Sequence, residues 1–398
     1  MKTTTLGGDE SAEQAERRAA KGRHPTALNR RKARKPPPPM QFYGLAAIIA
    51  ILVGLGLVMV LSASSVLALH TDGSAWTYFV KQAVWTVLGI GALLLTAKVP
   101  YHFWRRLIPV ALVGAFALMV LVLVPGIGVT VNGSRAWIHL GYFAVQPAEV
   151  LKFALLLYCA DLLARRADRM HEVRATLYPT LVVLGASGVL LMMQPDLGGA
   201  LVMAAIVLGV AFIAGTPLIP LATTAGLASA AGMVFIMSAA YRRERWLAFL
   251  DLAQHKQDAG FQVWQSLIGI ASGGVTGVGL GASKLKWGFL PEAHTDFIFA
   301  ILAEELGFVG VLAVCGLFIA FGLLGVQVAL RAKDRFGMLL AGGVTAWVLT
   351  QALINIGGVV GLMPLTGLTL PFVSFGGSSL LVMMAAGGLL LNVARTAR

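Results

Sequence analysis

Long apolar runs alternate with short polar breaks over most of the 398-residue chain. Each run holds about 20 residues, which is the length that an α-helix needs to cross a bilayer. We therefore predict an all-α polytopic membrane protein with ten transmembrane helices. The predicted helices span residues 43–69, 78–97, 107–124, 148–164, 176–193, 198–214, 217–238, 296–325, 337–362 and 377–394.

The distribution of basic residues gives this pattern an orientation. With a cytoplasmic amino terminus, 22 of the 31 Lys and Arg residues lie on the cytoplasmic side, as the positive-inside rule requires. Both termini are then cytoplasmic. The same orientation puts a large loop, residues 239–295, on the periplasmic side between helices seven and eight. This loop is far longer than a simple connection needs to be.

Composition supports a membrane protein and explains the net charge. The chain is 58% hydrophobic and 12% charged, whereas a soluble domain carries about 25% charged residues. Because the charge of +13 follows topology, we predict no nucleic-acid partner. Residues 1–40 are basic, nearly free of apolar residues and end in four prolines, so they predict a disordered cytoplasmic arm. The membrane domain is residues 41–398. Cys159 and Cys315 lie in apolar runs and are interpreted as packed side chains.

Asp296 is the leading candidate for chemistry. It lies where the large loop turns into an apolar helix, and a carboxylate at the edge of a membrane is costly to hold there. Asp296, Ala300 and Glu304 follow the four-residue spacing of one helical face. The functional interpretation is a general base, or a ligand of a divalent cation such as Mg²⁺ or Mn²⁺. The alternative is a capping residue beside a buried acid. His294 is a candidate to orient or share the proton.

Polar residues at the starts of other predicted helices suggest an anion site. Glu149 with Lys152, Asp196, Ser378 and Ser379 lie at such starts, where free N–H groups attract anions. Capping, or a structural ion pair for Glu149 and Lys152, is the alternative. Basic residues on the outer side oppose the topology rule and favour an anionic ligand such as a diphosphate. They are Arg135, Arg242, Arg243, Arg245, Lys284 and Lys286.

Two further segments of the outer loops have a local interpretation. Residues 132–138 predict a turn followed by an amphipathic anchor, with Trp137 at the membrane interface. Residues 273–281 are rich in glycine and resemble a dinucleotide-binding fingerprint only superficially. No strand precedes them and they face outward, so we predict no nucleotide site. Short helices near residues 247–250 and 261–270 are expected to lie along the interface.

Several motifs together resemble the SEDS proteins of bacterial cell-wall synthesis. The resemblance runs collinearly from about residue 43 to 394. Its motifs are Asn132-Gly133-Ser134-Arg135-Ala136-Trp137, Gln146-Pro147-Ala148-Glu149, Gln194-Pro195-Asp196-Leu197-Gly198, residues 291–299, Ala303-Glu304-Glu305-Leu306-Gly307 and residues 370–379. Residues 241–251 and the basic arm resemble the division members rather than the elongation members. Two departures, Ala148 and Phe375, stand where the family often has Ser and Tyr, so neither hydroxyl is essential.

The resemblance implies a peptidoglycan glycosyltransferase. Such an enzyme polymerises lipid II into β-1,4-linked glycan strands at the outer face of the bacterial inner membrane and releases undecaprenyl diphosphate. The catalytic aspartate of the family corresponds to Asp296. The implied partners are the division-specific class B penicillin-binding transpeptidase, other divisome proteins and the undecaprenyl-diphosphate-linked glycan, at the division septum. A lipid II flippase remains an alternative because Glu304, Glu305, Gln351 and Asn355 lie deeper along the helices. A non-enzymatic division scaffold is a further alternative.

Overall fold

The computed structural model describes residues 37–131, 133–141 and 143–397. Most of the predicted arm, residues 1–36, lies outside the described residues. Within the described part, the chain forms twelve α-helices. They are α1 (Met40–Asp72), α2 (Thr77–Lys98), α3 (Tyr101–Leu121), α4 (Pro147–Arg165), α5 (Leu177–Met193), α6 (Leu197–Ile213), α7 (Leu218–Met237), α8 (Ala240–Leu250), α9 (Phe261–Gly273), α10 (Ile298–Leu330), α11 (Arg335–Val359) and α12 (Gly377–Thr396).

Seven helices of the described part are long and apolar enough to cross a membrane: α1, α2, α3, α7, α10, α11 and α12. Helices α5 and α6 are apolar but hold only 17 residues each. Helix α4 is long enough, with 19 residues, but it is not among the seven because it carries four charged residues: Glu149, Lys152, Asp161 and Arg165. The protein is therefore a multi-pass membrane protein, and these ten helices occupy the ten predicted places.

The largest difference at a helix start is in α3, which begins at Tyr101 rather than at residue 107. Its first turns are basic, and basic residues signal a loop when only sequence is read. In the structure, Arg105 pairs with Asp161 of α4. Its guanidinium also lies 5.1 Å from the ring centroid of Phe336. Because these partners satisfy the charge, the helix continues through the basic segment.

The expectation of an all-α fold is wrong at residues 128–145. They form a three-stranded antiparallel sheet with strand order β1 (Gly128–Val131), β2 (Ser134–Leu140) and β3 (Phe143–Val145). The predicted amphipathic anchor at 132–138 is instead largely strand β2. Val131 pairs with Ser134, so a two-residue turn joins β1 to β2, and Gly133 in it has a φ of 80°. Positive φ is what tight hairpin turns demand, and it favours glycine.

The core lies among α10, α11, α12, α4 and α6. Helix α12 is almost entirely buried and packs against α2, α11 and α1. Helix α7 is the opposite case, since most of its side chains are exposed. The two predicted loop helices exist as α8 and α9. Helix α9 packs along α10 and also contacts α11, so it belongs to the bundle.

Candidate active site

Four turns from distant parts of the chain meet at one end of the bundle, which we call the upper end. They are residues 146–149, 194–198, 291–297 and 363–379. They contact one another through backbone groups and one serine hydroxyl, so motifs that are separate in the sequence form one surface. The contacts are Phe375 N to His294 O at 3.0 Å, Gln146 N to Ser378 Oγ at 3.1 Å, and the close approach of Gly198 to Thr366 O.

Asp296 is half-buried in this surface. Burial raises the pKa of its carboxyl from the ordinary 3.8 to about 7; the charge of Glu292 adds to the rise, that of Arg245 opposes it, and that of Asp196 adds to it. Among the described residues, none donates a side-chain or backbone hydrogen bond to this carboxylate. The nearest backbone is that of Gly367, where an added Cβ would lie 3.5 Å from Asp296 Oδ2. A carboxyl with this pKa and open lone pairs is suited to accept a proton near neutral pH.

Asn355 of α11 fixes the backbone of Asp296. Its Nδ2 donates to Asp296 O at 2.7 Å and to Leu368 O at 2.6 Å. Gln351, one turn earlier, donates to Thr369 O at 3.0 Å and accepts from Trp347 Nε1 at 3.0 Å. Both amides were expected only as polar groups along a crossing. In the structure they hold the turn that carries Asp296 and the 363–376 segment together.

His294 does not share a polar contact with Asp296 among the described contacts. Its buried ring packs edge-on against Tyr78, with centroids 4.7 Å apart, and lies 5.4 Å from the ring of Phe375. Burial lowers the pKa of His294, while the charge of Glu292 opposes that change. Its pKa therefore favours the neutral imidazole at physiological pH, which is consistent with its packing between two aromatic rings.

Glu149 and Lys152 form a buried ion pair with Lys152 Nζ 2.7 Å from Glu149 Oε1. Lys152 Nζ also lies 5.8 Å from the ring centroid of Trp347. Asp196 caps α6 by accepting from Gly199 N at 2.7 Å. Burial raises the pKa of Asp196, the Gly199 N–H and Lys152 oppose the rise, and Glu149 adds to it. The pair and the capping acid thus form one electrostatic unit beside Asp296.

Of the six predicted outer cations, Arg245 is the one that acts on Asp296 in the described structure. It lies on α8, half-buried, with its guanidinium 4.6 Å from the ring centroid of Tyr241. It also lines a mainly apolar cavity of about 330 Å³ between α6, α7, α8 and residues 364–366. A cation at the junction of an apolar cavity and an acid suits a ligand with an apolar tail and an anionic head.

The other five predicted cations have different surroundings. Arg242 donates to Phe235 O at 3.0 Å and stacks on the Phe235 ring, so it caps the end of α7. Arg243 and Lys284 are exposed, and Lys286 is buried against Gly281 O and Glu305. Arg135 on β2 donates to Leu123 O at 3.4 Å. The six candidate cations therefore have different surroundings in the described structure, and Arg242 and Arg245 are the two that line the apolar cavity. Anion binding by any of the six stays a prediction.

Ser378 and Ser379 cross-link the surface instead of capping α12. Ser378 Oγ accepts from Gln146 N, and Ser379 Oγ lies 3.2 Å from Thr369 Oγ1. Gly376 is the residue before α12, and no side chain caps that helix. Both serines contact the segments that frame Asp296, which makes them supporting residues.

The predicted line of acids along one helical face is wrong. Helix α10 begins at Ile298, so Asp296 precedes it. Glu304 is buried and accepts from Lys284 N at 3.0 Å and Leu285 N at 3.4 Å. Its carboxylate is engaged by the large loop and does not continue the site of Asp296.

Comparison with known proteins identifies the family. The family model for FtsW, RodA and SpoVE, described as "Cell cycle protein", matches residues 43–398. A probable peptidoglycan glycosyltransferase FtsW of Thioalkalivibrio sulfidiphilus is 44% identical over 357 residues, which cover 88% of this chain and 89% of that protein. Stage V sporulation protein E of Bacillus subtilis is 39% identical, covering 89% and 97%.

Solved structures agree in fold. A chain from a study of structural coordination of polymerization and crosslinking by a peptidoglycan synthase complex has a TM-score of 0.73 at 33% identity, covering 89% of this chain and 97% of that chain. The rod shape determining protein RodA of Thermus thermophilus has a TM-score of 0.66 at 29% identity, with the same coverage. The chain belongs to the FtsW, RodA and SpoVE family of cell cycle proteins.

Proposed function

We propose that the protein is a peptidoglycan glycosyltransferase that polymerises lipid II at the division septum. Relatives that share about nine-tenths of the chain carry the name of this activity. The observation that carries the proposal within the structure is Asp296, half-buried and with a pKa of about 7. A mainly apolar cavity is lined by Arg245, whose charge acts on Asp296, and this combination suits a substrate that joins an isoprenoid chain to a diphosphate.

The proposed topology has ten crossings, both termini in the cytoplasm and Asp296 facing the periplasm. Helices α2, α4 and α10 run from the upper end to the opposite end of the bundle. The connections at that opposite end, together with the helix ends beside them, carry the basic residues that the positive-inside rule assigns to the cytoplasm; these segments are residues 98–106, 165–174 and 331–335. The upper end is therefore the periplasmic one, where lipid-linked sugar would be used.

In the proposed reaction, Asp296 accepts the proton of the sugar C4 hydroxyl of an incoming lipid II. The hydroxyl oxygen attacks C1 of the growing strand, and the bond from C1 to the diphosphate oxygen breaks. Undecaprenyl diphosphate leaves with the electron pair, so one displacement turns an α linkage into a β-1,4 linkage. Arg245 is positioned to stabilise the negative charge that develops on the leaving group.

A divalent cation such as Mg²⁺ or Mn²⁺ would have few protein ligands here. Within the described residues, no three His, Cys, Asp or Glu side chains form a metal-binding group. Asp296 alone is a single carboxylate ligand. Mg²⁺ sites of this kind take the remaining oxygens from substrate phosphates and water, so a cation would arrive with the diphosphate.

Two alternatives lose their main support. The flippase depended on polar groups along a full crossing, yet Glu304, Glu305, Gln351 and Asn355 are engaged by loop and backbone partners. The scaffold without activity loses support because relatives over about nine-tenths of the chain carry the name of a glycosyltransferase. The partner we propose is a class B penicillin-binding transpeptidase of the divisome, since a structural relative comes from a synthase complex that couples polymerization to crosslinking.

The experiment supplies lipid II from outside to proteoliposomes that hold the full-length protein with its transpeptidase partner. We expect glycan strands without prior translocation, and none with Asp296→Asn.

The orientation of the protein in the membrane is tested with Arg243→Cys, because Arg243 is exposed on α8, the helix that carries Arg245. A membrane-impermeant maleimide should label it from the periplasmic side of intact cells. Labelling from the cytoplasmic side alone would overturn the proposal.

A further inference from the structure

Helix α10 is interrupted at Gly307, where φ is 65° and ψ is −164°. A helix break leaves backbone groups on both sides without their usual partners. Here the glycine segment, residues 273–281, supplies those partners and replaces the missing turn. The four hydrogen bonds are Val278 N to Glu304 O at 3.0 Å, Gly279 N to Glu305 O at 3.1 Å, Phe308 N to Gly274 O at 2.9 Å and Val309 N to Val275 O at 3.1 Å.

Glycine is required where the two backbones meet. A Cβ on Gly307 would lie 2.2 Å from Gly277 N, and one on Gly277 would lie 2.1 Å from Glu305 O. Both residues also have positive φ, at 65° and 81°, which side chains disfavour. The glycine-rich sequence, which is not a nucleotide site, is therefore explained by this contact.

The side chains of Glu304 and Glu305 extend the contact into a clasp, which we define as these two carboxylates with their donors. Glu304 takes four donors from the large loop, whereas Glu305 takes one hydrogen bond from that loop, one from α1 and an ion-pair contact with Lys286. The donors to Glu304 are Lys284 N at 3.0 Å, Leu285 N at 3.4 Å, Ser272 Oγ at 3.5 Å and Ser283 Oγ. The donors to Glu305 are Ser62 Oγ at 2.6 Å and Ser283 N at 3.3 Å, with Lys286 Nζ at 3.8 Å.

The clasp closes a loop that carries Asp296 near its middle. The chain leaves the clasp after Lys286 and comes back to it at Glu304, and Asp296 lies about midway between these two residues. Both ends of this loop are held at the same two carboxylates. These contacts therefore limit how far the loop backbone around Asp296 can move. Ser62 ties the same point to α1.

We infer that Glu304 and Glu305 are positioning residues, which hold the Asp296 loop in register with the site and couple it to α1 through Ser62. This inference rests on the proposed function, because the quantity it explains is the rate of the reaction at Asp296. The carboxylates do not touch the reacting atoms. They act through the loop, and a displacement of about 1 Å at a catalytic group costs up to about 100-fold in rate.

The test uses the full-length protein with its transpeptidase partner and two matched pairs. Ser62→Ala removes the hydroxyl that α1 donates to Glu305, whereas Ser65→Ala removes a hydroxyl of α1 whose hydrogen bond within the described residues goes to Ser62 O. Gly307→Ala fills the tight contact, whereas Gly316→Ala, in the same helix, meets open space. We expect kcat of the folded fraction to fall about 10-fold for Ser62→Ala and more for Gly307→Ala. The KM for lipid II should stay within about twofold, and both controls should retain the wild-type kcat.

A role in stability alone would lower the melting temperature or the folded yield and leave kcat of the folded fraction unchanged. Two further readouts separate the cases. Ser62→Thr keeps the hydroxyl and should restore kcat. Hydrogen–deuterium exchange across residues 284–297 should be faster in Ser62→Ala than in Ser65→Ala.

Wild-type and Asp296→Asn activities decide the proposed function separately from the clasp. If the wild-type complex polymerises lipid II and Asp296→Asn does not, the function stands, and the Ser62 pair then decides the inference. Equal kcat and equal exchange in Ser62→Ala and Ser65→Ala would overturn it. An inactive wild-type complex would overturn the proposed function, and with it any catalytic role for the clasp.

Discussion

Asp296 and Glu304 are acids only eight residues apart on the same stretch of chain, but their surroundings differ in every respect. Glu304 is buried and its oxygens accept hydrogen bonds from loop backbone and serine hydroxyls. Asp296 is half-buried, receives no hydrogen bond from the described residues and has two acids, Glu292 and Asp196, as electrostatic neighbours. A carboxylate that accepts several donors is stabilised as a structural element, while one without them is held ready to exchange a proton.

Under the proposed function, the difference separates a reactive acid from a structural one in this membrane bundle. Burial alone does not do so, because Glu304 is the more buried of the two. The number of hydrogen-bond donors to each carboxylate separates the two acids, because it shows whether the folded chain already occupies the lone pairs of the carboxylate oxygens. Glu149 lies between these two cases, because Lys152 occupies its Oε1 while its buried Oε2 has no described hydrogen-bond partner.

The largest expected effect comes from Asp296→Asn. The amide keeps the shape of the side chain but cannot act as a base, so polymerisation of lipid II should fall by about 10²- to 10⁴-fold. Purified variant and wild type, each with the transpeptidase partner, are compared by glycan length on gels. Because Asp296 bonds no described side chain, the variant should fold with the wild-type melting temperature.

Asn355→Leu should have the next largest effect. The change leaves Asp296 O and Leu368 O without their shared donor, and an unpaired buried carbonyl costs about 1–3 kcal/mol. We expect kcat of the folded fraction to fall at least about 10-fold, measured by lipid II consumption. The matched control is Asn392→Leu, which removes the donor to Thr96 O, Ala97 O and Val99 O at the opposite end of the bundle. It should lower stability and leave kcat unchanged; an equal loss of kcat in both variants would contradict a local role for Asn355.

Arg245→Ala should lower kcat/KM by about 10-fold, the value of one charge-assisted contact of roughly 1.5 kcal/mol. The control Arg243→Ala lies two residues away on α8 and is exposed, so it should stay within about twofold of wild type. Initial rates over a range of lipid II concentrations make the comparison. Equal losses of kcat/KM in the two variants would mean that α8 contributes a general positive charge rather than a specific contact through Arg245.

The helices could be predicted because apolar runs of membrane length are a strong local signal. Even the shift of α3 to Tyr101 has a non-local reason, the pairing of Arg105 with Asp161 and Phe336. The sheet at residues 128–145 was missed although Asn132-Gly133 is a hairpin signal in the sequence. Trp137 is as typical of an interfacial anchor as of strand β2, so the local pattern favours both structures.

The site could be predicted at its centre but not around it. The loop-to-helix junction and the family motif both indicated Asp296, while the role of Asn355 depends on a contact across 59 residues of chain. The six outer cations looked alike in sequence because all lie in outer loops. Their separation follows from which way each loop turns, as with Arg242, which folds back onto Phe235. The clasp was equally invisible, since it joins Glu305 to Ser62 over 243 residues.

The central claim is that Asp296 is the base, and the pH dependence of kcat/KM, which reports the pKa of the free enzyme, tests it most directly. A base must be deprotonated, so activity should be low below its pKa and should rise through about pH 7 to a plateau. Glu292→Gln removes a charge that raises this pKa, so the midpoint should move to lower pH. Arg245→Gln removes a charge that lowers the pKa and should move the midpoint to higher pH. Midpoints that stay unchanged in both variants would contradict the account, because the titrating group would then lie elsewhere.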